Sequence, residues 1–221
     1  MERTCRKGAV TWFGAFEPLR NGFIRKYERS YCVIAAQSCD GIIGVHGRLP
    51  WKIPYDWSHF ARTTSGGVLI SGRKSFEETG VLKGRQHVVL SSQDVQRRAL
   101  ESAASVRAAE NVGDALRLAE GLCGNSKERE IFICGGENVY RDMLPRASRL
   151  VLTTLSNIRL DDGSSESLSR FPSSWRDRFT PETLKQRRSV HVSDFDIFAP
   201  SSSPLPQSLC VMIEEFEVCE M

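Results

Sequence analysis

Ile131-Phe132-Ile133-Cys134-Gly135-Gly136-Glu137-Asn138-Val139-Tyr140 reads as a continuous apolar strand, a double glycine and the start of a helix. An apolar run without polar alternation is the pattern of a strand covered on both faces, as in a parallel sheet flanked by helices. The paired glycines leave the backbone bare where it turns from strand to helix, so another chain or a ligand can approach closely.

The same alternation extends in both directions. Tyr31-Cys32-Val33-Ile34-Ala35-Ala36-Gln37 is a buried strand, and Val68-Leu69-Ile70-Ser71-Gly72-Arg73-Lys74-Ser75 is a strand running into a basic turn that opens a short helix. Further strands are expected over 87–90, 104–108, 150–155 and 209–216. Residues 111–122 form an amphipathic helix with Asn111 as N-cap and Val112, Ala115, Leu116, Ala119 and Leu122 on its apolar side. A second helix over 138–144 is closed by Pro145. Short strands alternating with helices predict an α/β fold with a mainly parallel sheet. The Ser- and Asp-rich stretch 156–170 and the Pro- and Ser-rich stretch 199–208 read as surface loops.

The chain has 221 residues, enough for one well-buried α/β domain. A net charge of +3 suits an anionic ligand but lacks the concentrated basic face that nucleic acid requires, and no apolar run reaches membrane-spanning length. The seven cysteines show no C-x-x-C pairing; Cys32, Cys134 and Cys210 sit in apolar strand-like runs, where a free thiol behaves as a small hydrophobe. This predicts a reducing, cytoplasmic setting with no disulfide framework and no metal site. Residues 1–30 carry seven Lys or Arg against three acids, an extension of unknown role; its three glutamates weaken an organellar-targeting reading.

One stretch adds chemistry to the fold. In Leu49-Pro50-Trp51-Lys52-Ile53-Pro54-Tyr55-Asp56-Trp57-Ser58-His59-Phe60, Pro54 suits a first helical turn, and Asp56 and Phe60 then share a helical face. A carboxylate beside an aromatic ring can bind a flat, nitrogen-rich heterocycle and help move a proton. Burial beside Phe60 and Trp57 would raise the Asp56 pKa toward neutrality.

In this order and spacing, these blocks resemble the dihydrofolate reductase family, well from Tyr31 to Leu155 and more loosely over the C-terminal strand. The resemblance implies a single-domain, three-layer sandwich over 31–217, with surface insertions near 156–170 and 180–208 and an antiparallel C-terminal strand. It implies NADPH-dependent reduction of dihydrofolate, binding of antifolate-type ligands, no nucleic-acid or membrane partner, and a monomer.

By the same resemblance, Ile34, Ala35, Asp56, Trp57, Phe60, Cys134, Tyr140 and Thr153 line the pterin pocket. Asp56 takes hydrogen bonds from the pterin, with either Asp56 or an oriented water as the immediate proton donor. Leu49 and Trp51 belong to a loop, with Gly41, Gly44 and Gly47, that closes over the nicotinamide. Ala36 and Ile43 offer backbone groups to the carboxamide. Gly44, Gly72, Arg73, Lys74, Ser75, Ser91 and Ser92 line the rest of the cofactor path, Arg73 to Ser75 and the two serines at its phosphates. Cys134, Gly135, Gly136, Glu137, Asn138, Val139 and Tyr140 form the cofactor-facing turn, with the Gly135–Gly136 bond cis in the family. Arg85 matches the arginine that grips the folate glutamate.

The chain departs from the family at Cys134, Trp57, Ser71 and Thr79, and inserted residues separate Asp161-Asp162-Gly163 from Phe171-Pro172. Two other readings stay open. One is the related reductase of riboflavin synthesis, against which Trp51, Pro54, Asp56 and Phe60 speak. The other is a non-catalytic folate- or nucleotide-binding relative.

Overall fold

The computed structural model describes residues 30–93, 103–126, 128–161, 167–198 and 206–218. The expectations for 1–29, for Asp162 and Gly163, and for 199–205 lie outside the described residues.

The elements run β1 (Tyr31–Ser38), β2 (Ile42–Val45), β3 (Trp51–Lys52), α1 (Pro54–Thr63), β4 (Val68–Gly72), α2 (Arg73–Thr79), β5 (Gln86–Leu90) and β6 (Val106–Ala109). Then come α3 (Val112–Cys123), β7 (Ile131–Ile133), α4 (Glu137–Met143), β8 (Arg149–Leu155), β9 (Leu168–Arg170), α5 (Trp175–Arg178), β10 (Leu184–Val192), β11 (Asp196–Ile197) and β12 (Leu209–Glu217). Eight strands form one sheet in the order β10-β12-β8-β1-β7-β4-β5-β6. From β8 to β6 every neighbour is parallel; β12 and β10 are antiparallel to theirs.

Strand alternation divides the core between the two faces of the sheet. Tyr31, Val33, Val68, Ile70, Ile131, Ile133, Leu150 and Leu152 face one cluster, with Ala115, Leu116 and Ala119 of α3 and Val139, Tyr140 and Met143 of α4. Cys32, Ile34, Leu69, Phe132, Val151, Val211 and Ile213 face the other, under Trp51, Ile53 and Phe60. Helices on both faces give the expected three layers. Asn111 caps α3, its side chain accepting the Asp114 N–H at 2.9 Å.

Two stretches expected as surface segments carry pairing. Leu168–Arg170 in 156–170 forms β9 and pairs with β2, while Phe171 N–H donates to Gly41 O at 2.9 Å. Arg170 also pairs with Asp161, so the two ends of the interrupted segment meet. Within 180–208, β10 is a nine-residue strand at the sheet edge. Its sequence, Leu-Lys-Gln-Arg-Arg-Ser-Val-His-Val, hides it because an edge strand needs little apolar surface. Arg187 faces Glu214 across the ladder and donates from Nε at 2.8 Å. Lys185 and Arg187 put charge on the open edge, which discourages further strand addition.

Gly67 tests how tightly α1 leads into the sheet. A Cβ there would lie 2.8 Å from the ring of Phe132, which is 1% exposed, and 3.1 Å from Glu130 O. Gly67→Ala should lower the unfolding free energy by roughly 1–3 kcal/mol through overpacking. In denaturant titrations, Phe132→Leu should be less destabilising in the Gly67→Ala background than alone; additive losses would show that the ring is not the obstacle.

Candidate active site

A cavity of about 460 Å³ lies on the α1 side of the sheet. Ile34, Ala35 and Ala36 enter its wall from β1, Asp56, Trp57 and Phe60 from α1, and Thr153 from β8. Leu49 and Trp51 reach it from the connection before α1, Cys134, Gly135 and Gly136 from the turn after β7, and Tyr140 from α4. This is the crevice that a parallel sheet leaves beside its strand ends, where the chains turn into helices.

Pro54 occupies the first turn of α1 and Asp56 follows in that turn, so the helix start aims the carboxyl at the cavity. Burial pushes the Asp56 pKa from 3.8 up to about 6, and a hydrogen bond from Thr153 works against the rise. Trp57 stacks on Phe60 with ring centroids 5.5 Å apart. Trp51 is 2% exposed, and its indole Nε1 has no hydrogen-bond partner among the described residues, so the cavity has a buried donor to offer a polar ligand atom. The Tyr140 hydroxyl donates to Ile34 O at 2.8 Å, tying α4 to the middle of β1. Burial drives the Cys134 thiol well above its ordinary pKa, which leaves a neutral, weakly polar wall.

A second cavity of about 500 Å³ adjoins the first, sharing Ile43, Leu49, Ser75, Glu78 and Gly136. Gly44, Gly72, Arg73, Lys74, Ser91, Ser92, Glu137, Asn138 and Val139 complete the predicted set along it. The Gly135–Gly136 peptide is cis, and Gly135 has φ +109°, a region that L side chains avoid. A Cβ on Gly135 would lie 3.3 Å from the Tyr140 hydroxyl and 3.4 Å from Ser75 Oγ, and one on Gly136 3.3 Å from Ser75 Oγ. The bare backbone, the cations Arg48, Arg73 and Lys74 and the serine hydroxyls make a groove fitted to an elongated phosphate-bearing ligand. Arg73 meets Glu77 at 2.6 and 2.7 Å, so this cation is already oriented along α2.

Arg85 stands apart from the other predicted residues. It lines neither cavity; Nε donates to Thr64 Oγ1 at 3.0 Å, one terminal nitrogen to Lys83 O at 2.8 Å and the other to Ala61 O. The guanidinium is therefore fixed on the end of α1, beside the Leu82 that does line the first cavity.

Several wall residues escaped the sequence reading. His59 lies one helical turn past Asp56, a spacing that could have found it. Arg188 donates to its Nδ1 at 2.8 Å, and because arginine only donates, Nδ1 must be the acceptor and the ring proton sits on Nε2. Burial and the Arg188 charge both lower its pKa, in keeping with that neutral tautomer. Glu78 accepts the Leu49 N–H at 2.6 Å and so fixes the loop over the cavity. Ser71, Thr79, Leu82, His87 and Phe198 also line the wall. Ser71, Thr79, Trp57 and Cys134, the four departures, all meet at this one cavity.

The dihydrofolate reductase family model matches residues 31–193. Dihydrofolate reductase HdrB of Haloferax volcanii is 33% identical over 147 residues, covering 64% of this chain and 70% of the relative. The dihydrofolate reductase of Mycobacterium leprae is 32% identical over 135 residues, covering 59% and 74%. Among solved structures, dihydrofolate reductase from Enterococcus faecalis complexed with NADP(H) and RAB-propyl superimposes with a TM-score of 0.62 at 21% identity, over 85% of this chain and 95% of that one.

The Asp56 environment has a consequence for stability. Its folded pKa of about 6 lies above 3.8, so between these values the folded chain keeps a proton that the unfolded chain has lost. Stability therefore falls as pH rises through this window, and the loss persists above it. Asp56→Asn should exceed wild type in stability at neutral pH by about 3 kcal/mol, with the advantage fading by about pH 4. Urea unfolding across pH checks this; a pH-independent difference would rule out ionisation of Asp56 as its source.

Proposed function

The chain belongs to the dihydrofolate reductase family, and we propose that the first cavity receives the pterin of dihydrofolate and the adjoining groove receives NADPH. The protein is an NADPH-dependent oxidoreductase that reduces 7,8-dihydrofolate to 5,6,7,8-tetrahydrofolate. The observation that carries the site assignment is the Asp56 carboxyl, set in an apolar wall and poised at a pKa of about 6.

In this reading Asp56 receives the ring N–H and amino group of the pterin and holds the proton needed at N5, passing it directly or through an oriented water. Thr153 steadies the carboxyl, and the Trp51 indole N–H faces a polar atom of the same ring. Ile34, Ala35, Cys134 and Tyr140 bound the pterin, while Trp57 and Phe60 cover it from α1. Leu49, held by Glu78, shields the reacting edge from water. NADPH, when bound, supplies the hydride that reduces C6 of the pterin. Ala36 and Ile43 would meet its nicotinamide through their backbones. The bare Gly135–Gly136 segment fits beside the cofactor, and Arg73, Lys74, Ser75, Ser91 and Ser92 carry its phosphates. Antifolate-type ligands would compete for Asp56.

Arg85, pinned at the end of α1, would grip the glutamate carboxylate with the N–H groups left over from its three protein bonds. We further read the chain as a monomer, supported by the charged β10 edge, and as cytoplasmic, supported by the free thiols Cys32, Cys39, Cys134 and Cys210. No helix among the described residues is long and apolar enough to cross a membrane.

Loss of NADPH absorbance on adding dihydrofolate tests the reading. Asp56→Asn should reduce turnover roughly 100- to 1,000-fold while NADPH still binds. In wild type, turnover limited by the proton at Asp56 should fall as pH rises through about 6, and the variant should lose that dependence. Near-normal, pH-dependent turnover in Asp56→Asn would remove Asp56 from the chemistry. Arg85→Leu should raise the KM for dihydrofolate about tenfold, the scale of one lost charged pair, with a much smaller change for NADPH. Equal losses for both ligands would give Arg85 a purely structural role.

A further inference from the structure

The segment after β10 returns to the mouth of the first cavity. Asp196 and Ile197 pair antiparallel with Lys52 and Trp51, and the Phe198 N–H donates to Pro50 O at 2.8 Å. These bonds fix Phe198 to the loop that carries Leu49 and Trp51. Its side chain lines the cavity yet is 67% exposed. The large apolar side chains that remain exposed among the described residues are Leu49, Trp57, Val81 and Phe198. Leu49, Trp57 and Phe198 line this one cavity, and Val81 precedes its Leu82. An apolar rim of this kind marks a binding surface, because scattered exposed hydrophobics have no reason to converge.

A pterin seated on Asp56 has its substituent at C6 directed out of the buried floor, and that substituent in dihydrofolate carries an aryl ring on a short methylene–amine link. We propose that Phe198 is a specificity-determining residue, closing with Trp57 and Leu49 on the aryl group of the substrate tail. The proposal rests on the dihydrofolate reading above. The β3–β11 pairing positions the Phe198 ring from outside the parallel sheet, and an edge or offset contact between it and the aryl ring favours a tailed substrate over a bare pterin. Asp56 recognises the head of the ligand and Phe198 the start of its tail.

Steady-state kinetics with two substrates test this, one being dihydrofolate and the other a dihydropterin with a methyl group in place of the aryl-glutamate tail. Phe198→Ala should raise the KM for dihydrofolate roughly five- to tenfold and narrow the preference for dihydrofolate over the methyl analogue. Phe198→Tyr, which keeps the ring, should restore the preference. An unchanged KM for dihydrofolate in Phe198→Ala overturns the proposal. An equal rise for both substrates also overturns it, because the residue would then only seat the loop. Wild-type protein that turns over neither substrate overturns the dihydrofolate reading itself and this inference with it.

Discussion

The hydrogen bond from Gly72 N–H to Gly135 O, at 2.7 Å, joins the ends of two parallel strands where both chains leave the sheet for a helix. Much of the site depends on that contact. It brings the start of α2, with Arg73, Lys74 and Ser75, against the turn that starts α4. A Cβ at Gly72 would stand 3.5 Å from the Val139 side chain and 3.6 Å from Gly136 N, in ordinary contact with both, so the two turns are packed against each other. The polar groove for an elongated ligand and the apolar cavity for a flat one share this junction, and Gly136 and Ser75 border both.

The two cavities differ in how they hold a ligand. The groove offers cations, hydroxyls and bare backbone, a surface suited to a long, charged molecule. The cavity offers a mainly apolar wall that includes a carboxyl made less acidic by burial and an indole N–H with no hydrogen-bond partner among the described residues. Low polarity strengthens each buried interaction, so the buried Asp56 carboxyl can decide both orientation and proton affinity. Glu78 lines both cavities and bonds the loop between them, which links cover of one to the state of the other.

Local chemistry made much of this legible from the amino-acid order. Apolar runs marked the strands, Asn111 marked the start of α3, and Pro54 with Asp56 marked the start of α1. The family resemblance carried the residue roles. What escaped depended on distant pairing. β10 is largely exposed and needs only the ladder of β12, so its sequence carries little apolar signal. Phe198 enters the wall through two bridges to residues far away in the chain, which no local pattern announces. Arg85 was legible as a cation, but its bonds to Ala61 and Thr64 follow from where α1 ends.

β12 lies inside the sheet, between β8 and β10. During synthesis, β10 leaves the ribosome before it has any strand to pair with, and β8 emerges with one side of its ladder open. Neither is completed until Leu209–Glu217 follows. The antiparallel part of the sheet thus forms through long-range closure, which is slow compared with local helix formation. Until then the nascent chain exposes apolar residues such as Val151 and Leu155 beside an unpaired edge, the kind of surface that makes partly folded chains prone to aggregation.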